Sequence, residues 1–162
     1  MPTWDERVEA VWEDESLSDQ ERIAHIDALA AERDELDARA LFERAGARDS
    51  AGIETEAEPL YRQALEAGLD DEYRTRAVIQ LASTLRNLGR TDEALWMLRV
   101  EFDRGPDAPL HDAAAAFYAL ALVSTGDAVA AASVALTALA PHLPRYTRSV
   151  TGYADELVGE RD

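Results

Sequence analysis

Apolar residues recur along this chain at intervals of three and four, the spacing of one face of an α-helix. Over residues 3–14, Trp4, Val8, Val11 and Trp12 fall on one such face. Ser18 followed by Glu21 forms a capping-box pair and predicts a second helix start, with an apolar stripe of Ile23, Ile26, Leu29 and Ala30. After Pro144, residues Tyr146, Val150, Tyr153 and Leu157 again keep helical spacing and predict a last helix that covers an open face. These terminal helices, together with three helical hairpins in a 37-residue register between them, predict an all-α chain of about nine helices.

Between these ends the pattern repeats. Gly52, Gly89 and Gly126 stand 37 residues apart. In the same register Ala45, Ala82 and Ala119 precede each glycine by seven, and Ala57, Ala94 and Ala131 follow it by five. Three further columns are apolar throughout: Leu41, Val78 and Ala115; Leu60, Met97 and Val134; Leu65, Phe102 and Leu139. The physical reading is a helical hairpin in each unit. Small residues let two helices approach, a glycine relaxes the turn between them, and the apolar columns bury the faces between successive hairpins. One hairpin cannot cover its own faces, so stacking is required.

These residues resemble the tetratricopeptide repeat family. The second unit carries the likeness best, through Ala82, Leu85, Gly89, Ala94, Leu98 and Pro106. The first unit adds Ala57, Tyr61, Ala64 and Leu65, and the third adds Ala119, Leu122, Gly126, Ala131, Ala138 and Leu139. The phrases Ala-Leu-Phe-Glu-Arg-Ala at 40–45, Asp49-Ser50, Leu-Tyr-Arg-Gln-Ala-Leu at 60–65 and Ile-Gln-Leu-Ala-Ser-Thr-Leu-Arg-Asn-Leu-Gly at 79–89 are similar to short stand-alone bacterial members. The resemblance covers about residues 38–144. It implies a right-handed solenoid of three tetratricopeptide-like hairpins at 38–74, 75–111 and 112–144, with 1–37 as an N-terminal helical cap and 145–162 as a C-terminal capping helix, all in one domain of 1–162. The period of 37 exceeds the family's usual 34, which predicts longer turns between hairpins. Arg44 and Arg48 stand where the second unit has Leu81 and Leu85. Either the first hairpin packs less tightly there, or these arginines pair with the acidic N-terminus.

Charge changes the picture of partners. The net charge is -17, and all sixteen basic residues are Arg. Residues 1–40 carry net -9, residues 41–90 net -2 and residues 91–162 net -6, so arginine gathers in the middle. Such a chain repels nucleic-acid phosphates and anionic lipid, and neither nucleic acid nor membrane is an expected partner. The absence of Cys excludes disulfides, thiolate metal sites and thiol catalysis. The N-terminus lacks a basic segment followed by an apolar one, and a cytoplasmic protein is expected.

Candidate chemistry is sparse. His25, His111 and His142 form no ligand cluster with acids. No phosphate-cradling glycine loop or nucleophile elbow occurs. Asp49 and Ser50 read as a turn, and Trp96 on the second helix of the middle hairpin reads as a packing residue whose exposure would instead mark a second interface. No cofactor, metal or catalytic residue is expected.

One constellation stands out. Arg76, Gln80, Ser83 and Asn87 share a helical face. One period earlier the columns hold Arg39, Glu43, Gly46 and Ser50, and one period later Ala113, Phe117, Leu120 and Ser124. In the family this face lines a concave groove, which implies a peptide-binding surface of Arg39, Glu43, Asp49, Arg76, Gln80, Ser83, Arg86, Asn87, Phe117 and Leu120. The arginines suit a peptide carboxylate. The family's chaperone-tail clamp uses a Lys and Asn set that this Lys-free chain does not carry. The stripe also reads as a solvated face, or as one neutralised by the acidic N-terminal hairpin. The expected function is a non-catalytic protein-binding adaptor. The alternative is a self-associating structural module with the Trp4 and Trp12 helix as its interface, and oligomeric state is left open.

Overall fold

Five of the described helices begin where a short polar side chain, of Thr3, Ser18, Asp37, Asp70 or Asp127, takes up an unpaired amide of the first turn. The computed structural model describes residues 1–159. Thr3 and Glu6 form a capping box on α1 (Trp4–Glu13), and Ser18 and Glu21 form another on α2 (Asp19–Ala30). Asp37 caps α3 (Ala38–Ser50) through the amide of Ala40. After α4 (Glu54–Ala67), Asp70 caps α5 (Asp71–Asn87) through Tyr73. Then follow α6 (Thr91–Phe102), α7 (His111–Ser124), α8 (Ala128–Leu139), a short 3-10 turn (Ala140–His142) and α9 (Thr147–Gly159). No strand occurs among the described residues.

Among the described residues, five helices are followed within three residues by a glycine in the left-handed region. Gly52, Gly89 and Gly126, the three predicted from the 37-residue register, have φ of 73°, 80° and 94°. A side chain there would be strained even though space is open around each.

The chain divides into two compact units, Met1–Leu88 and Gly89–Asp162. In the first, α3 packs on α2 and α4, and α4 on α5. Its core holds Leu41, Phe42, Ala45, Ala57, Tyr61 and Leu81, all nearly inaccessible to solvent. Phe42 joins Tyr61 at 6.1 Å and Tyr73 at 5.4 Å between ring centroids, the second pair edge to face. A satellite cluster of Val8, Ile26 and Ala47, flanked by Trp4 and Trp12, fastens α1 and α2 to α3.

In the second unit, α6 packs on α7, α7 on α8 and α8 on α9. Ala119, Leu122 and Ala131 form its centre with Leu95, Tyr118 and Val134 around them. Phe102 lies 5.1 Å from His111 and 5.2 Å from Tyr118. The hydroxyl of Ser133 donates to the carbonyl of Ala154 at 2.7 Å and ties α9 to α8.

The six column alanines are all buried: Ala45, Ala57, Ala82 and Ala94 completely, and Ala119 and Ala131 nearly so. Arg44 and Arg48 pair with Asp27 of α2, at 3.2 Å and 2.8 Å, so the acidic N-terminal hairpin neutralises them. Two expectations need correction. The inward face of α9 is set by Ala154 and the half-buried Val150, while Tyr146, Tyr153 and Leu157 are exposed. Ala154 is completely buried where α9 meets α8, and bulk at 146, 153 and 157 is turned to solvent. Trp96 is 66% exposed and its helical neighbour Val100 50%, so Trp96 does not serve packing within its own unit.

Candidate functional site

The first unit holds a cavity of about 560 Å³, walled by α1, α3 and α5 and floored by Tyr61 of α4. Each wall owes its side chains to helical periodicity. On α5, Tyr73, Arg76 and Gln80 are three and four residues apart; on α3, Arg39, Glu43 and Gly46 follow the same rule; on α1, Asp5, Val8, Glu9 and Trp12 do so. Gly46 leaves room for the indole of Trp12, whose ring would lie 3.4 Å from a Cβ added there.

The two arginines meet at one aromatic ring. The guanidinium of Arg39 stands 3.4 Å from the centroid of Tyr73, and that of Arg76 stands 4.7 Å from it and 5.2 Å from Phe42. Their electrostatic states differ. Arg39 donates to Glu43 at 2.9 Å and reaches Asp5 at 3.4 Å. Among the described residues Arg76 has no carboxylate within ion-pair distance and no hydrogen-bond partner. Glu43, nearly inaccessible, also accepts from the indole nitrogen of Trp12 at 2.8 Å.

Beneath the cavity a polar network closes the floor. The Tyr61 hydroxyl lies 3.0 Å from both Asp49 Oδ2 and Gln80 Oε1, and Thr84 Oγ1 lies 3.2 Å from Asp49 Oδ1. A phenol has one proton to give, so when it donates to Asp49 the Gln80 side chain turns its amide NH2 toward the phenol oxygen. Burial pushes the Asp49 carboxyl above its ordinary range, against hydrogen bonds from Tyr61 and Thr84 that lower it. Burial also pushes the Tyr61 phenol far up, helped by the charge of Asp49. Burial thus shifts both groups toward their neutral forms relative to water. Asp49 thus does more than shape a turn: its side chain ties α3 to α4 and α5. Ser50 bonds back to the carbonyl of Ala47.

Of the ten residues expected to line a groove, Arg39, Glu43, Asp49, Arg76 and Gln80 line this cavity. Ser83, Arg86 and Asn87 lie on the later turns of α5 and do not. Asn87 is about 10 Å further along the axis than Gln80, from the helical rise of 1.5 Å per residue. Phe117 and Leu120 belong to α7 in the second unit, where Phe117 is half-buried and Leu120 is 44% exposed.

Sequence reasoning missed the aromatic lining and the α1 wall. Tyr73 was within reach, because it extends the 76–80 stripe by one turn toward the N-terminus. Asp5, Val8, Glu9 and Trp12 had no such signal, since their place depends on how α1 docks. The Trp4 indole donates to the carbonyl of Leu29 at 2.8 Å and its ring lies under Arg33 at 3.8 Å. Trp4 and Trp12 are therefore both committed inside the protomer, and the α1 face proposed for self-association is turned inward.

No cluster of three or more metal-ligating side chains occurs among the described residues, and no described helix is long and apolar enough to cross a membrane. No curated protein and no solved structure matches the chain significantly. Residues 38–157, from the first residue of α3 into α9, match the family described as Tetratrico peptide repeat. With this span covered and the all-helical architecture in place, the chain belongs to the tetratricopeptide repeat family.

Proposed function

We propose that this chain is a non-catalytic adaptor that holds a peptide segment of a partner protein in the cavity of its first unit, with Arg76 receiving a carboxylate. Repeats of this family generally mediate protein–protein interaction. The observation that carries the site is Arg76 itself. Its guanidinium lines a cavity, rests on Phe42 and Tyr73, and is unmatched by any carboxylate among the described residues. An arginine so held loses little freedom on binding and presents a planar fork to a carboxylate. Gln80 beside it offers an amide able to pair with a peptide backbone. Arg39 plays a different part: already engaged by Glu43 and Asp5, it stiffens the wall. With a net charge of -17, we take the partner to be a cytoplasmic protein and neither nucleic acid nor membrane.

Affinity capture from a native lysate, comparing the wild type with Arg76→Glu, tests this reading. Peptides from any protein retained only by the wild type are then titrated against wild type and Arg76→Ala. Loss of a partly shielded Arg–carboxylate contact should weaken binding about tenfold or more. Equal binding by both variants overturns the reading.

A second reading has one observation in its favour. Trp96 and Val100 are exposed one turn apart on α6, which suits self-association through that face. Light scattering on wild type and Trp96→Arg separates the two. A monomer in both cases removes the self-association reading, whereas a wild-type dimer lost in the variant supports it.

A further inference from the structure

We infer that the segment bound in this cavity carries two opposite charges, a basic side chain against the α1 wall and a carboxylate at Arg76. The inference rests on the pocket reading above and narrows its ligand. It follows from asking which charges around the cavity are already spent. Glu43 is buried and taken up by Trp12 and Arg39. Asp49 is engaged by Tyr61 and Thr84. On α1, one helical turn apart, Asp5 and Glu9 remain. The Asp5 side chain is 64% exposed and only grazes Arg39 at 3.4 Å. Glu9 is exposed and has no hydrogen bond or ion pair among the described residues. Around the cavity Glu9 is thus unpaired and Asp5 is held only by its 3.4 Å contact to Arg39, both on one wall, while the unpaired guanidinium of Arg76 stands on another.

A cavity of about 560 Å³ is about 8 Å across if equant, no wider than the screening length of about 8 Å at physiological salt. Charges on its walls therefore act on the same ligand. A purely acidic segment would meet Arg76 but be repelled by Asp5, Glu9 and the net charge of -17. A purely basic segment would leave Arg76 facing a second cation. A segment with one charge of each sign matches both walls, and the ring of Trp12 in the same cavity suits the apolar stem of a Lys or Arg.

The test uses the full chain and an array of synthetic decapeptides with amidated C-termini, random except for charge: acidic only, basic only, one of each, or neither. Wild type, Asp5→Asn/Glu9→Gln and Arg76→Gln are applied at low salt, each first checked for an unchanged melting temperature and circular dichroism spectrum. The wild type should retain two-charge peptides about threefold to tenfold better than acidic ones. That margin should vanish in the α1 variant, and the margin over basic peptides should vanish in Arg76→Gln. Acidic peptides bound as well as two-charge ones, with dependence on Arg76, would overturn this inference and leave the pocket reading standing. Retention of no class, or binding indifferent to Arg76, would overturn both.

Discussion

At the scale of single residues, the fold turns on a few positions with no alternative. Gly52 and Gly126 adopt φ of 73° and 94° with nothing nearby to clash with a side chain. Replacing either by Ala should therefore cost only the backbone strain of the left-handed region, about 1–2 kcal/mol, read as a shift in the urea midpoint. Asp49 makes a pH-dependent contribution. Its folded pKa lies above its ordinary value of 3.8, chiefly because of burial. The folded state thus holds this proton more tightly than the unfolded state. The stability from Asp49 is fully present below pH 3.8 and is lost as pH rises through the folded pKa. The disadvantage of Asp49→Asn against wild type should accordingly narrow between pH 3.5 and pH 7, measured by denaturant midpoints at the two pH values. A disadvantage that widens would refute the assignment. The glycines and column alanines were legible in the sequence because a fixed period marks them. The Asp49–Tyr61–Thr84 network was not, since its members are 12 and 35 residues apart and meet only in the packed hairpins.

Between elements, charge and aromatic contacts fix how the N-terminal hairpin sits on α3. Burial pushes the Asp27 carboxyl up, but hydrogen bonds and charge from Arg48, then Arg44, outweigh it and hold the group below its ordinary 3.8. Here the sign is opposite to that of Asp49: the stability is present above pH 3.8 and is lost as pH falls through the folded pKa. Asp27 is about a third exposed, so solvent screening limits its worth. Asp27→Asn should cost about 1 kcal/mol at neutral pH and progressively less below pH 3.8, followed by thermal melting across that range. The indole of Trp12 holds α1 to α3 through Glu43. Trp12→Phe keeps most of the ring but leaves a nearly inaccessible carboxylate one donor short, at a cost of about 1–3 kcal/mol. An unchanged denaturation midpoint would show that α1 is fastened by its apolar contacts alone. The same variant should loosen the cavity wall that carries Asp5 and Glu9.

At the scale of the whole molecule, the net charge of -17 opposes any compact state. Many of the acids are already in local use: Glu6 and Glu21 in capping boxes, where hydrogen bonds from Thr3 and Ser18 hold them below their ordinary range, and Glu32 with Arg7. Others pair with arginines, as Asp19, Asp27, Asp37 and Glu56 do, but the excess of acids over arginines is screened only by salt. Raising salt from low to moderate concentration should lift the melting temperature, and a flat or falling melting temperature would mean that the ion pairs lost to screening outweigh the repulsion removed.

The sequence by itself determined the helical class, the capped N-terminal hairpin, the positions of the turn glycines and the buried alanine columns. All of these depend on local spacing and short-range capping, which the chain writes directly. It also placed Arg39, Glu43, Arg76 and Gln80 on related helical faces. Only the tertiary structure decided which arginine is free, because that depends on acids supplied by α1 and by the neighbouring turn of α3. It alone turned Trp4 and Trp12 inward, left Trp96 exposed, and chose Ala154 over the tyrosines as the buried contact of α9. A stripe read from spacing says which residues share a face. Which face is covered, and by what charge, follows from the packing of elements distant in sequence.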